Sequence, residues 1–263
     1  MVGHADLLAG AGEIRDIWSW RGKWGIAREI WRSVLKHQFS MGALDDMLPD
    51  HVFDPVIPYH ATQLVLREDR VKSRETVTRH DVKAHIDEWN SQAGYEFLHI
   101  GLTSADIVDN VALVQMLRTM NVLSQFEGFE AWRPPFRGLK GAIGTQQDLI
   151  DIMGSPERVR ILENEVGYDL GWSTPQETLI NTGQVYPRSI DLQWASYLHR
   201  WCFREPWQTL SSGFLAMITA YSGSQWNEGD VSTSVVRRVA LPSMAAVAYH
   251  ALHESAQRKA NQG

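Results

Sequence analysis

A chain of 263 residues has room for one large domain or two ordinary ones, and 44% hydrophobic with 21% charged residues marks a globular rather than a disordered sequence. The formal net charge is −6, from 25 basic and 31 acidic side chains, and no basic stripe is concentrated anywhere, which excludes a phosphate-backbone footprint and so a nucleic-acid partner. No apolar run reaches the ~18 residues of a membrane span, no basic-then-apolar secretion signal opens the chain, and the single cysteine, Cys202, fits a reducing cytosol; the expectation is a cytoplasmic protein without membrane contact.

Helix signals dominate from the start. Ile17, Trp20, Trp24, Trp31, Val34 and Leu35 recur at about helical spacing within Ile14–Phe39, with Gly22 and Gly25 as weak points. The tryptophans read as an aromatic packing seam rather than a ligand cage. Pro49, Pro55 and Pro58 break the next stretch into loop, a helix is expected from Thr62 to Arg70, and Asp81 opens another with Val82, Ile86 and Trp89 inward and Lys83 paired with Asp87. Gly94 and Gly101 bracket a connector. Thr103-Ser104 then caps a helix whose face is Ile107, Val108, Val111, Val114 and Leu117. Helices are expected across Gln147–Tyr168, Ile190–Trp201, Trp207–Tyr221 and, after Pro242, Met244–Ala260; strand patterning is confined to a few residues near Val185. The pattern predicts a mainly α fold, divided into an N-terminal helical domain over 1–100 and a helical-bundle domain over 101–263.

Four segments place polar groups in turns that lead into helices. Arg79-His80-Asp81 sets an imidazole and a guanidinium before a helix start, suited to an anion, although His80 and Asp81 also serve simply as caps. His99-Ile100-Gly101-Leu102-Thr103-Ser104-Ala105-Asp106 puts two hydroxyls at a helix N-terminus, where free N–H groups and the dipole favour a carboxylate or phosphate. Asp106 opposes that charge and is expected to orient a neighbour. The third segment presents Gln184 and Arg188 before a helix, and in the fourth Ser234 and Arg238 stand four residues apart, close enough to grip one phosphate from one helical face. The turn RGLKGAIGT is glycine-rich without the spacing of a nucleotide P-loop.

In order along the chain, RHDVKAHIDEWN, HIGLTSADIVDN, RGLKGAIGTQQD, NTGQVYPRSID and QWNEGDVSTSVVRRVALP resemble adenylosuccinate lyase, of the fumarase/aspartase superfamily; the last of these is most like the actinobacterial type. The resemblance covers most of Ile14–Leu241 and implies a long-helix bundle that assembles as a homotetramer with composite sites. It also implies β-elimination of fumarate from a succinylated purine nucleotide, with no metal or organic cofactor. Carried over, His80 and His99 are active-site histidines in supporting roles, Thr103 and Ser104 hold a substrate carboxylate, Gln184 contacts the succinyl part, and Ser234 and Arg238 contact phosphate; Arg79 and Arg188 belong to the same substrate-binding set.

Departures from the family are as informative. The histidine segment that supplies the general acid has no counterpart between Met120 and Arg137, and the base loop of form SSxMPxKxNP is absent; Ser211-Ser212 lack the following Met-Pro-x-Lys. Leu8-Ala9 stand where the family's nucleotide-binding Arg-Tyr pair is expected, and the C-terminal domain has no counterpart. The fold expected is therefore a bundle trimmed by two internal deletions. Loss of an acid and a base, each typically worth ~10²–10⁴-fold, removes about 5–11 kcal/mol of transition-state stabilisation if the two add. Three functions stay open: a lyase with a rewired site, a silent binder of purine nucleotide or dicarboxylate, and a structural helical subunit, any of them able to act in a mixed oligomer with a full-length lyase.

Overall fold

The computed structural model describes residues 4–47, 64–94, 96–141, 146–173, 185–226 and 231–262. The chain forms two compact units, one from 1–23, 112–134 and 184–263, the other from 24–111 and 135–183. The divisions fall inside two helices, α3 (Trp20–Ser40) and α6 (Ser104–Leu123).

In the first unit the axis is α11 (Val231–Ala260), against which α1 (His4–Ala9), α2 (Glu13–Trp18), α9 (Ser189–His199) and α10 (Trp207–Tyr221) pack. Ala240, Leu241, Met244, Ala245, Ala246, Val247 and Ala248 of α11 are all buried. Small side chains there let neighbouring helices approach closely. A two-stranded antiparallel pairing, β1 (Val185–Pro187) with β2 (Ser224–Trp226), precedes α9 and follows α10.

In the second unit, α4 (Glu68–Thr78) packs on α5 (Asp81–Ala93), and α7 (Gln147–Met153) on α8 (Pro156–Asp169). The aromatic seam is here: Trp24 stacks on His85 at 3.5 Å between ring centroids, and Trp31 meets Trp89 edge-on at 4.9 Å. Trp24 and Trp31 are buried, as the packing reading expects, together with Trp89 of α5, while Trp20 is half-buried.

Local chemistry explains where the helices depart from expectation. The single helix expected over Ile14–Phe39 is two, parted at Ser19, whose extended backbone ends α2 while its Oγ accepts Gly22 N–H at 2.9 Å to start α3. The helix expected over 62–70 runs instead from Glu68 to Thr78; Thr62 lies outside the described residues, and 64–67 form no regular secondary structure. Val71 is the one buried residue of α4, so an apolar period could not locate it. Acidic Glu68 and Asp69 in its first turn, and the Glu68–Lys72 pair at 2.6 Å, support it instead. The Val65 backbone is satisfied by α5: its N–H donates to Gln92 Oε1 at 2.9 Å, and its carbonyl accepts from Trp89 Nε1 at 3.1 Å and Gln92 Nε2 at 2.8 Å.

Gln147–Tyr168 likewise divides, at Gly154-Ser155, with Ser155 capping α8. The last helix starts at Val231 rather than Met244 and carries Pro242 inside it. A helix-interior proline costs ~3 kcal/mol. The run of buried residues on either side of Pro242 outweighs it, since each well-buried apolar side chain returns about 1.5–3 kcal/mol.

Candidate functional site

The polar centre of the second unit is Asp106, fully buried in the first turn of α6. Its carboxylate accepts four hydrogen bonds: Arg137 Nη1 at 2.8 Å and Lys140 N–H at 2.7 Å on Oδ1, and Thr103 N–H at 3.0 Å and Gly141 N–H at 2.9 Å on Oδ2. The turn after Arg137 is thereby pinned onto the start of α6. Asn110 reinforces the junction by donating to Asp106 O at 2.8 Å and Gly138 O at 2.9 Å. On the other side of the turn, buried Glu163 Oε1 accepts Leu139 N–H at 2.7 Å and Gln146 Nε2 at 2.8 Å. Asp106 thus orients its neighbours, as its position suggested. Gly101 packs so closely that a Cβ would sit 2.9 Å from the Ile152 side chain, and its φ of 75° is a further bar to side chains.

This arrangement fixes Thr103 and Ser104. Thr103 is buried, and Ser104 is half-buried with no hydrogen-bond partner for its hydroxyl among the described residues. A free hydroxyl and first-turn amides on a 20-residue helix can receive an anionic oxygen. Beside the same turn, burial pulls the Lys140 ammonium below its usual pKa, against the opposing pull of Glu163.

His99, in the connector to α6, accepts a hydrogen bond on Nδ1 from the Trp31 indole at 3.0 Å. Burial, then the charge of His80, lowers its pKa to about 4. His99 is therefore neutral at pH 7 with the proton on Nε2, neither an imidazolium acid nor a free base. Its φ of 82° is a left-handed conformation uncommon outside glycine.

Arg79 and His80 are exposed on the junction of α4 and α5. Arg79 closes α4 in the left-handed conformation, and His80 Nδ1 accepts Lys83 N–H at 3.2 Å, so His80 is the cap of α5. A cleft of about 570 Å³ lies nearby, lined by Arg74, Lys83, Asp87, Asn90, Ser91, Gly94 and Glu96, and contains none of the sequence candidates.

The remaining candidates belong to the first unit. Arg188 is buried at the start of α9, its N–H bonded to Gly223 O; Gln184 lies outside the described residues. Ser234 and Arg238 fall on α11 at the expected spacing, Ser234 half-buried with no hydroxyl partner among the described residues and Arg238 exposed. A neighbouring group escaped sequence reasoning: Arg237 grips Asp191 through Nε at 2.6 Å and Nη2 at 3.2 Å, and the Tyr221 hydroxyl donates to the same carboxylate at 3.1 Å. Ser211 and Ser212 lie in regular helix, each donating to Gln208 O, at 3.0 and 2.8 Å. Neither serine is set on a loop. Among the described residues no cluster of three or more His, Cys, Asp or Glu is placed to hold a metal, and no helix is long and apolar enough to cross a membrane.

Comparison with solved structures shows a shared fold. The chain superposes on a fumarate lyase from Mesorhizobium sp. BNC1 with a TM-score of 0.58 at 14% identity, covering 92% of this chain and 73% of that one. It superposes on 3-carboxy-cis,cis-muconate lactonizing enzyme from Pseudomonas putida with a TM-score of 0.65 at 13% identity, covering 92% and 72%. The chain shares the helical fold of these two proteins.

Within that fold the sequence is a weak homologue of adenylosuccinate lyase. The Schistosoma mansoni enzyme is 20% identical over 344 residues, covering 90% of this chain and 66% of that protein. The Saccharomyces cerevisiae enzyme is 20% identical over 331 residues, covering 88% and 67%. The chain spans about two thirds of the length of these relatives, and both alignments are longer than the chain, so the relatives carry internal stretches with no counterpart here. No family profile matches the chain.

Proposed function

We propose that the protein is a shortened adenylosuccinate-lyase-like protein of the actinobacterial type that binds a purine nucleotide or dicarboxylate. In this reading its β-elimination of fumarate is impaired when it acts alone. The observation that carries the reading is the end of α6, where an Asp106-pinned backbone presents the open Ser104 hydroxyl and the connector supplies a neutral His99. Such a site binds an anionic oxygen. His99, uncharged and with its proton already on Nε2, is in neither the protonation state that removes a Cβ proton nor the one that protonates a leaving purine nitrogen.

In this reading Thr103 and Ser104 take a substrate carboxylate, with His80, His99, Arg79, Gln184 and Arg188 around the substrate and Ser234 with Arg238 on phosphate. No metal or organic cofactor takes part. The reading also includes a cytoplasmic homo-oligomer, a tetramer by resemblance, in which the two anion sites meet across subunits. Exposed Leu210 on α10 and Val235 and Val239 on α11 favour an oligomer, since they leave an apolar surface uncovered on that unit. A full-length lyase in a mixed oligomer would supply the missing acid and base.

The test combines oligomer mass with fumarate release from adenylosuccinate. The expected result is an oligomer that binds AMP or fumarate in calorimetric titration, with Ser104→Ala and Arg238→Ala weakened, and turnover far below the usual ~1–10³ s⁻¹. Turnover in that range refutes the impairment. Absence of binding at millimolar ligand refutes the binding role and leaves the helix-capping reading of both clusters.

A further inference from the structure

We propose that Trp31 is a positioning residue that fixes His99 as a neutral hydrogen-bond donor, its Nε2–H serving a carboxylate oxygen of the bound ligand. The inference rests on the anion-binding reading above and deepens it by giving His99 one role.

An indole N–H only donates, so the 3.0 Å contact from Trp31 leaves Nδ1 of His99 no choice but to accept. In a neutral imidazole the remaining proton is then on Nε2. Trp31 holds its orientation because it is fully buried and set edge-on against Trp89, whose own indole is tied to Val65 O at 3.1 Å. The connector is held as well, since Gln38 donates to Ile100 O at 3.3 Å. His99 is half-buried, and among the described residues Nε2 has no partner. A donor fixed at one end and open at the other is what an oxygen ligand needs.

Nearby His80 works in the same direction as burial and disfavours a positive charge on His99. The positive φ of His99 supports the same reading, since a non-glycine residue is held in that conformation by its surroundings. A neutral donor differs from a cationic one in a measurable way. It binds a carboxylate without first taking up a proton, so acidification to about pH 5 does not strengthen binding.

The experiment uses the full chain labelled with ¹⁵N-histidine, fumarate as probe, and His99→Gln to assign the His99 signals. Long-range ¹H–¹⁵N spectra are expected to show an unprotonated Nδ1 and a protonated Nε2 from pH 8 down to about pH 5. Trp31→Phe is expected to mix the tautomers and to weaken fumarate about tenfold or more, while the burial that lowers the His99 pKa stays in place.

An Nδ1–H tautomer or an imidazolium in the parent at pH 7 overturns the proposal without any variant. So does Trp31→Phe with unchanged tautomer and affinity. A parent that binds no fumarate fails at the earlier reading and takes the donor role with it, while its tautomer still reports whether Trp31 sets the ring.

Discussion

Asp106→Asn is the most demanding test of how the candidate site is held together. The substitution keeps the shape of the side chain, removes its charge, and turns an NH₂ group toward donors that need an acceptor. It leaves Arg137, 4% exposed, with Asp109 Oδ2 at 3.6 Å as the remaining nearby carboxylate. Breaking a buried pair by removing one partner costs about 3–5 kcal/mol, and Asp109 holds the loss toward the lower end. At about 2–4 °C per kcal/mol for a chain of this size, the Tm should fall by roughly 6–20 °C. Urea unfolding and thermal melts measure the loss, and amide exchange locates it. The Lys140, Gly141 and Thr103 amides should lose protection before those of α11. Adding Arg137→Met should recover part of the stability by removing a buried guanidinium that has lost one of its carboxylates. A loss below about 1 kcal/mol, or unchanged protection at those three amides, would refute the claim that this carboxylate holds the turn to the helix.

Asp191→Ala should cost about 3 kcal/mol, read by chemical denaturation, because it removes the buried carboxylate shared by half-buried Arg237 and the buried Tyr221 hydroxyl. His99 predicts a pH effect: its folded pKa of about 4 lies below the ordinary 6.5, so the unfolded chain binds the extra proton. Stability from that group is present above pH 6.5 and lost as pH falls toward 4, and stability–pH curves for His99→Gln should lack this limb. Asp169 should add a more acidic limb. Ser33, His37 and Lys36 hold it below its ordinary 3.8, so its contribution is lost as pH falls below that value and should vanish in Asp169→Asn. Cys202, buried and pushed up to about 12, should resist alkylation in the folded protein and react once denatured, as a thiol titration with and without urea will show.

Elements with their own breakers were legible in sequence. Trp207–Tyr221 stands as expected, and α5 begins at Asp81 with Val82 and Trp89 buried and Lys83 paired to Asp87. α4 was misplaced because its stability comes from charge pairs and from packing on α5 rather than from an apolar stripe. At the site, Asp106 was legible as an orienting residue, but its partners were not. Arg137, Lys140 and Gly141 lie 31 to 35 residues further on, and nothing local in RGLKG says which carboxylate will claim its N–H groups. Trp31 was read as packing, and it does pack. Its edge also carries a donor, and only the fold brings His99, 68 residues away, within its reach.

The break at Ser19 reverses an ordinary rule of helix engineering. Replacing a helical glycine by alanine usually stabilises a protein by about 0.5–1 kcal/mol, and Gly22, in the first turn of α3, invites that change. Here the α2 backbone crosses directly over it: a methyl group at position 22 would stand 2.1 Å from the Asp16 carbonyl oxygen and 2.5 Å from that of Ile17. Both obstacles are main chain and cannot rotate aside. A thermostabilising design that scores positions by propensity alone would select the one substitution that pries α2 off α3, and a library built on this scaffold should keep position 22 invariant.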